Sequence, residues 1–296
     1  MDLKQFLEQT KGKKKFTVIL GSGIHSQVNQ NSILSSWDKL LSIIFKNDDR
    51  PEYKIPETIQ FENALSKFSS KYQKLTASEV EKKLNINIAE IVKSESINID
   101  SSSYKHLSFL NSTKISDVIS LNFDLTAELY FAKGKIRKAK YLKHQNKKLE
   151  STRHRYINNI NFWHPHGDFY TPSSLQLGFR RYNLLSKEIE ILRQKFKADE
   201  KIIMEKRTNS WVSAIIQNPV IILGSSLSYS ELGLWLTFIN RERNFLKGKN
   251  LKYKEPIFIL SEGDSHIHIP KEFYFPIVSY SQTFEEGWNE INNLLK

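Results

Sequence analysis

Polar side chains that can transfer protons and orient small molecules follow two apolar runs of this chain. Asn122 and Asp124 follow the run at residues 115–121, and His166 comes shortly after the aromatic residues 162–163. An asparagine side chain donates and accepts hydrogen bonds at once, and a histidine titrates near neutral pH and can take a hydroxyl proton. The spacing predicts one site, assembled where several strands of a sheet end.

Two glycine turns follow two further apolar runs, at residues 21–23 (Gly-Ser-Gly) and 224–226 (Gly-Ser-Ser). A glycine turn between a strand and a helix lets backbone N–H groups approach a phosphate. Ser26 stands where the dinucleotide fingerprint has its third glycine, so the first turn alone does not specify a dinucleotide. The second turn could also be only the exit of a strand.

Strand and helix patterns alternate along the chain. Apolar runs predict strands at residues 16–20, 115–121, 160–164, 220–223, 256–260 and 276–280. Helical spacing occurs at residues 1–12, 37–45, 125–132, 183–217, 229–245 and 284–295, and in much of 57–110. This alternation predicts an α/β fold, a Rossmann-like parallel sheet with helices on both faces. We expect a single domain over residues 1–296, with a helical insertion at about 46–112.

The net charge of +12 is concentrated in two short stretches. Residues 133–155 hold ten Lys/Arg and one Glu, and a further four lysines lie within residues 11–15. A basic patch can bind nucleic acid, an acidic partner or a dinucleotide phosphate, or it can be only a solvated face. We expect residues 133–155 to form a helix or a mobile loop.

Composition excludes several classes of site. The chain has no cysteine, so disulfides, a thiol nucleophile and a thiolate zinc site are excluded. There is no apolar run of about 18 residues and no signal-peptide layout at the start, so we expect a cytoplasmic protein without a membrane span. The candidate metal ligands are His164, His166 and Asp168, or His266 and His268. No third-ligand pattern supports either set, and we expect no metal.

The four polar and glycine-rich segments, in this order, resemble the SIR2-like fold, the NAD-binding Rossmann-type family that includes the sirtuins. The resemblance covers about half of the chain. It is stronger to the bacterial SIR2-like NADase effectors of antiphage defence than to the deacetylases. His25 departs from the family, because a serine is usual at that place in the first turn.

The resemblance is carried by short motifs. Gly21-Ser22-Gly23 stands where the family has Gly-Ala-Gly, and Ser36-Trp37 resembles the small residue and Trp that begin the next helix. Asn122 and Asp124 match the family's Asn-x-Asp, and His166-Gly167 matches its catalytic His-Gly. Gly224-Ser225-Ser226-Leu227 matches the Gly-small-Ser-Leu turn that borders the adenosine side.

This resemblance implies an NAD+ glycohydrolase that cleaves NAD+ to nicotinamide and ADP-ribose in antiphage defence, with NAD+ as substrate and no cofactor. It implies Asn122 and His166 as the catalytic residues. The residues implied to bind NAD+ are Gly21, Ser22, Gly23, His25, Trp37, Asp124, Gly224, Ser225 and Ser226. Activation would come from assembly into a homo-oligomer or from a separate sensor or ATPase subunit. The basic residues 133–155 would contact that partner, or nucleic acid.

Other interpretations stay open. A SIR2-like module could bind an NAD-derived or other nucleotide without cleaving it. A zinc-free protein deacylase is a third function, which the missing four-cysteine zinc module disfavours. Asn122 and Asp124 could instead cap the helix that begins near Leu125, a place that both residue types favour. His25 could serve only the geometry of its turn.

Overall fold

Strands and helices alternate along most of the chain. The computed structural model describes residues 3–10, 15–45, 57–72, 74–97, 100–133, 139–198, 210–225, 227, 231–247, 257–260, 277–279 and 283–295. The strands are β1 (Phe16–Leu20), β2 (Ile115–Ser120), β3 (Lys143–His144), β4 (Lys147–Lys148), β5 (His154–Ile157), β6 (Ile160–Trp163), β7 (Val220–Leu223), β8 (Ile257–Ile259) and β9 (Ile277–Ser279). The α-helices are α1 (Leu3–Gln9), α2 (Gly23–Ser26), α3 (Trp37–Phe45), α4 (Glu57–Lys71), α5 (Ala77–Ile97), α6 (Thr126–Phe131), α7 (Gly178–Ala198), α8 (Trp211–Gln217), α9 (Leu232–Lys247) and α10 (Phe284–Leu295). A 3₁₀ segment spans Ser101–Asn111.

A seven-stranded sheet has the order β5-β6-β2-β1-β7-β8-β9. Neighbouring strands run parallel except at one edge, where β5 pairs antiparallel with β6. Every residue of β1 and β7 is buried, as strands covered on both faces require. The predicted Rossmann-like α/β sheet is therefore confirmed, with an antiparallel edge that the sequence analysis did not predict.

Helices cover both faces of the sheet. Successive side chains of a strand point to opposite faces. Val18 of β1 belongs to an apolar cluster that includes Trp288 of α10, whereas the next residue, Ile19, belongs to a second cluster with Leu185 of α7 and Trp211 of α8. No helix in the described part of the chain has both the length and the apolar content needed to cross a membrane.

Helices α4 and α5 and the 3₁₀ segment occupy most of residues 57–111, in agreement with the helical pattern of that stretch. Phe61 and Leu84 of these helices pack in a third apolar cluster with Leu125, which follows β2, and Leu175, which lies beyond β6. This helical layer therefore supports the turns that follow two strands of the sheet.

The basic segment differs from the prediction of a helix or a mobile loop. Residues 143–148 form the hairpin β3–β4, and strand β5 begins at His154. Gln145 and Asn146 have φ values of 48° and 64°, the left-handed conformation that two-residue hairpin turns use. The prediction was wrong because the turn residues Gln145 and Asn146, and not helical spacing, determine the structure of residues 143–148. Residues 134–138 lie outside the described part of the chain.

Candidate functional site

A cleft of about 290 Å³ opens where the strands end at their carboxyl side. The strand that follows β1 in the chain, β2, lies on one side of β1 in the sheet order. The strand that follows β7, β8, lies in the opposite direction along the sheet. Parallel α/β sheets bind ligands at such a switch point. Most of the predicted site residues line the cleft: Gly21, Ser22, Trp37, Asn122, Asp124, His166, Gly224 and Ser225. Gly23 and His25 are not part of its lining, and Ser226 lies outside the described residues.

The two glycine turns pack directly against each other. The Gly23 N–H donates to Gly224 O at 2.8 Å. A Cβ atom on Gly21 would lie 2.3 Å from Gly224 O, and one on Gly23 would lie 2.7 Å from Gly224 Cα. The absence of side chains is therefore required by the contact between the turns. From the sequence, these glycines were predicted to let a phosphate approach the backbone. The Gly23 N–H, however, is already bonded within the protein.

Asn122 ties the end of β2 to the first glycine turn. Its Nδ2 donates to Gly21 O at 3.1 Å, and the residue is 8% exposed. The side chain that binds the first turn of α6 is that of Asp124, whose Oδ1 accepts from the Thr126 N–H at 2.9 Å. The capping alternative therefore describes Asp124, whereas the Asn122 amide is directed to the neighbouring turn.

A chain of buried hydrogen bonds connects Asp124 to the 3₁₀ segment. His25 Nε2 donates to Asp124 Oδ2 at 2.9 Å, and His25 Nδ1 lies 2.8 Å from the Tyr104 hydroxyl. The fully buried His25 side chain does not line the cleft itself but bonds to Asp124, which does. Tyr104 was not among the predicted site residues, because nothing in its local sequence distinguishes it from a core tyrosine.

Burial and charge act against each other on Asp124. Burial alone would raise the pKa of this carboxyl group, but the charge of His25 and the hydrogen bonds from His25 and Thr126 lower it below the ordinary aspartate value. Burial raises the pKa of Tyr104, and the negative charge of Asp124 raises it further. The arrangement keeps a carboxylate at the edge of the cleft and a protonated tyrosine behind it.

His166 lies in a tight turn after β6. Gly167 has φ +84°, and a Cβ atom there would lie 2.2 Å from Ser174 O, so the residue after His166 must be glycine. His166 Nε2 lies 3.0 Å from Glu231 Oε2, and its ring centroid lies 5.7 Å from that of Tyr182. All three side chains line the cleft.

The sequence analysis missed both neighbours of His166. Glu231 directly precedes α9, and an acidic residue at the start of a helix is too common to indicate a site. Tyr182 belongs to α7, where it fits the helical pattern without any polar signal. Both residues become candidates only when the folded chain brings them to the cleft.

The candidate metal ligands near His166 do not converge. His164 Nε2 lies 2.5 Å from Glu128 Oε1, whereas His166 binds Glu231 and Asp168 pairs with two arginines. Among the residues that the structure describes, no group of three His, Cys, Asp or Glu side chains could hold a metal. His266 and His268 lie outside the described residues.

Two arginines of the basic segment are buried against Asp168, close behind His166 in the chain. Arg155 Nη1 lies 2.8 Å from Asp168 Oδ2, and Arg153 Nη2 lies 3.0 Å from Asp168 Oδ1. Burial would raise the pKa of Asp168, but the charges of His164 and Arg155 and the hydrogen bonds from both arginines lower it. The end of the basic segment is therefore anchored to the turn that carries His166.

Aromatic and acidic side chains also line the cleft, beside several aliphatic ones. The rings of Trp37 and Phe123 lie 5.4 Å apart between centroids, and both residues line the cleft. Asp38 and Glu231 line it as well, in addition to Asp124. Such a surface can pack against a planar ring and can stabilise positive charge.

Comparison with known proteins agrees with this geometry. The family model of the SIR2-like domain matches residues 116–273, just over half of the 296-residue chain. The chain belongs to the SIR2-like domain family, which includes NAD-dependent enzymes. The matched range contains Asn122, Asp124, His166 and Glu231, whereas the first glycine turn lies before it. No curated protein matches the chain.

Proposed function

We propose that this protein is an NAD+ glycohydrolase, which cleaves NAD+ to nicotinamide and ADP-ribose. The observation that carries the proposal is that Asn122 and His166, which follow different strands, line one cleft together with both glycine turns. Membership of a SIR2-like family makes NAD+ the substrate to consider first. The cleft also combines the groups that this hydrolysis needs.

The reaction breaks the bond between the anomeric carbon of the ribose and the nicotinamide nitrogen. The bonding electrons leave with nicotinamide, which departs as a neutral molecule, and the ribose carbon becomes cation-like. Water then adds its oxygen to that carbon, and one of its protons is released. Overall, NAD+ and water give nicotinamide, ADP-ribose and one proton.

The cleft side chains would divide this work. The Asn122 amide can orient water or a ribose hydroxyl, because it donates and accepts at once. His166 can take the proton as general base. Asp124 and Glu231 supply negative charge beside the ribose as it becomes cation-like, and the Ser22 hydroxyl at the cleft can donate to a ligand oxygen.

We further propose that the chain acts in the cytoplasm as an effector of antiphage defence and that assembly or a partner subunit activates it. The exposed lysines of the β3–β4 hairpin support a contact with an acidic surface, since they form a basic projection. Arg153 and Arg155 connect the same segment to the His166 turn, so a contact at the hairpin has a physical route to the site.

The proposal is tested by incubating the full chain with NAD+, alone and with candidate partner proteins, and measuring nicotinamide and ADP-ribose. Release of the two products in equal amounts supports the proposal. NAD+ binding in calorimetry without cleavage under any of these conditions would instead identify a nucleotide-binding module. Nicotinamide release that requires an acylated peptide would identify a deacylase.

A further inference from the structure

Glu231 and His166 form a contact between the two halves of the cleft. Glu231 lies in the connection from β7 to α9, and His166 lies in the turn after β6. In the sheet, β1 and β2 separate these two strands. The 3.0 Å contact between Glu231 Oε2 and His166 Nε2 therefore reaches across the ends of both central strands.

The contact determines which ring nitrogen carries hydrogen. A carboxylate oxygen only accepts hydrogen bonds, so Nε2 of His166 must be the donor. In a neutral imidazole the other nitrogen, Nδ1, is then the acceptor. Nδ1 is buried and has no hydrogen-bond partner among the described residues. A buried polar atom without a partner calls for an explanation such as a catalytic role, and Nδ1 is the ring nitrogen that the contact with Glu231 leaves to receive a proton.

Other neighbours of His166 restrict its ring, and none of the described residues bonds to Nδ1. The backbone of the turn is fixed by Gly167, and the Tyr182 ring lies against one side of the imidazole. Gly167 acts only on the backbone, and the Tyr182 ring packs against the imidazole as a whole. Neither of these contacts distinguishes one ring nitrogen from the other. Glu231, whose side chain is 20% exposed, is the group whose chemistry makes that selection.

We infer that Glu231 is a positioning residue, which holds His166 with hydrogen on Nε2 so that Nδ1 acts as the base. The inference rests on the proposed NAD+ cleavage and assigns Glu231 a role in it. The logic is that of any imidazole base oriented by a carboxylate on its second nitrogen. A purely structural contact would hold together the segments that follow β6 and β7 without selecting the ring nitrogen that carries hydrogen.

Three variants of the full chain separate these roles. Glu231→Ala removes the acceptor, Glu231→Gln keeps an acceptor oxygen without the charge, and Glu285→Ala is the control. Glu285 is exposed in the first turn of α10, so it matches the helix-start position of Glu231 away from the cleft. We expect kcat for nicotinamide release to fall at least about tenfold in Glu231→Ala and less in Glu231→Gln, with KM changed less than about twofold.

The direct readout is the His166 tautomer, observed by NMR of the ¹⁵N-histidine-labelled chain at about pH 8.5, where an ordinary histidine is neutral. His166→Gln identifies the signal. We expect hydrogen on Nε2 in the wild type and a mixture of tautomers in Glu231→Ala. Hydrogen on Nδ1 in the wild type, or a tautomer unchanged in Glu231→Ala, would overturn the inference. If the wild type releases no nicotinamide under any condition, the proposed function fails, whereas the tautomer still decides the role of Glu231.

Discussion

His25 donates through Nε2 to Asp124 Oδ2 at 2.9 Å, and this buried pair joins the first glycine turn to the turn that carries Asn122. Asn122 reinforces the same junction through its hydrogen bond to Gly21 O. The relative position of the two turns therefore depends on hydrogen bonds made by His25, Asp124 and Asn122, of which Asp124 and Asn122 also line the cleft.

Loss of His25 should therefore damage both the fold and the site. His25→Ala leaves the Asp124 carboxylate buried without the hydrogen bond from His25 Nε2, so we expect the free energy of unfolding to fall by about 3 kcal/mol. Tyr104→Phe removes only the hydrogen bond between Tyr104 and His25, so we expect it to lower the free energy of unfolding by about 1 kcal/mol. Urea unfolding measures both. Equal and negligible effects would show that the chain of hydrogen bonds does not hold the turns.

His106 should make stability depend on pH. Burial lowers the pKa of His106 to about 4, and the charge of His25 contributes, against a hydrogen bond with the Ile24 backbone that raises it. The unfolded chain takes up a proton near the ordinary value of 6.5, whereas the folded chain does so only near 4. This contribution to stability is therefore complete above about pH 6.5 and is lost as the pH falls toward 4.

The test compares the wild type with His106→Gln by urea unfolding across this pH range. The free energy of unfolding of the wild type should fall more steeply between pH 6.5 and 4 than that of the variant. Parallel curves for the two proteins would contradict the assignment of the slope to His106.

Two neighbouring substitutions should separate the packing of the turns from ligand binding. Gly23→Val forces a side chain against the Gly224 backbone, so we expect a lower thermal unfolding temperature as well as weaker NAD+ binding. Ser22→Ala should leave the unfolding temperature unchanged and raise the Kd for NAD+ by about threefold to tenfold, the effect of one lost hydrogen bond. Calorimetric titration and thermal scans measure the two effects. An intact Gly23→Val fold would remove the packing explanation.

The exposed lysines of the basic segment should matter for binding and not for stability. Replacing Lys140, Lys143, Lys147 and Lys148 with Ser should leave thermal unfolding unchanged, because all four are exposed. We expect weaker assembly or partner binding, which salt weakens in the wild type. Nucleic-acid binding with a steep salt dependence would identify the other partner. Full assembly, binding and activated cleavage in the variant would leave these lysines as solvated surface.

The buried arginines of the basic segment, which pair with Asp168, provide the contrast to its exposed lysines. Asp168→Ala leaves Arg153 and Arg155 buried without their shared carboxylate, so we expect a loss of about 3–5 kcal/mol in the free energy of unfolding. Chemical denaturation of this variant and of the lysine variant tests whether the buried arginines of the segment stabilise the fold and its exposed lysines do not. A stable Asp168→Ala protein would show that the arginines find other partners.

The sequence was sufficient to predict the parallel strands of the sheet, because buried parallel strands are continuous apolar runs. The runs that form β1 and β7 are each followed by a glycine turn. It was not sufficient for β5, although Asn158 and Asn159 carry the signal of a two-residue hairpin turn, with φ values of 44° and 70°. The density of basic residues in this stretch drew attention to charge, whereas the turn residues determine its structure.

The site, like the sheet, was predicted from the sequence only in part. Most residues selected from the glycine, Asn and His motifs at strand ends line the cleft, because carboxyl ends of neighbouring parallel strands must meet. Glu231 and Tyr104 reach their partners from segments about 65 and 79 positions away in the chain. Contacts at such separations depend on tertiary packing, which local patterns do not encode.

The most direct measurement of the central claim is nicotinamide release by the activated protein carrying Asn122→Ala or His166→Ala, beside Asn111→Ala. Asn111 is an exposed asparagine of the 3₁₀ segment and serves as the matched control. We expect each cleft variant to stay folded and to lose release by at least about a hundredfold, and the control to remain active. Asn122→Ala should also be about 1 kcal/mol less stable, because it loses its hydrogen bond to Gly21 O. Wild-type release in a folded Asn122→Ala or His166→Ala protein would contradict the assignment of this cleft as the site of NAD+ cleavage.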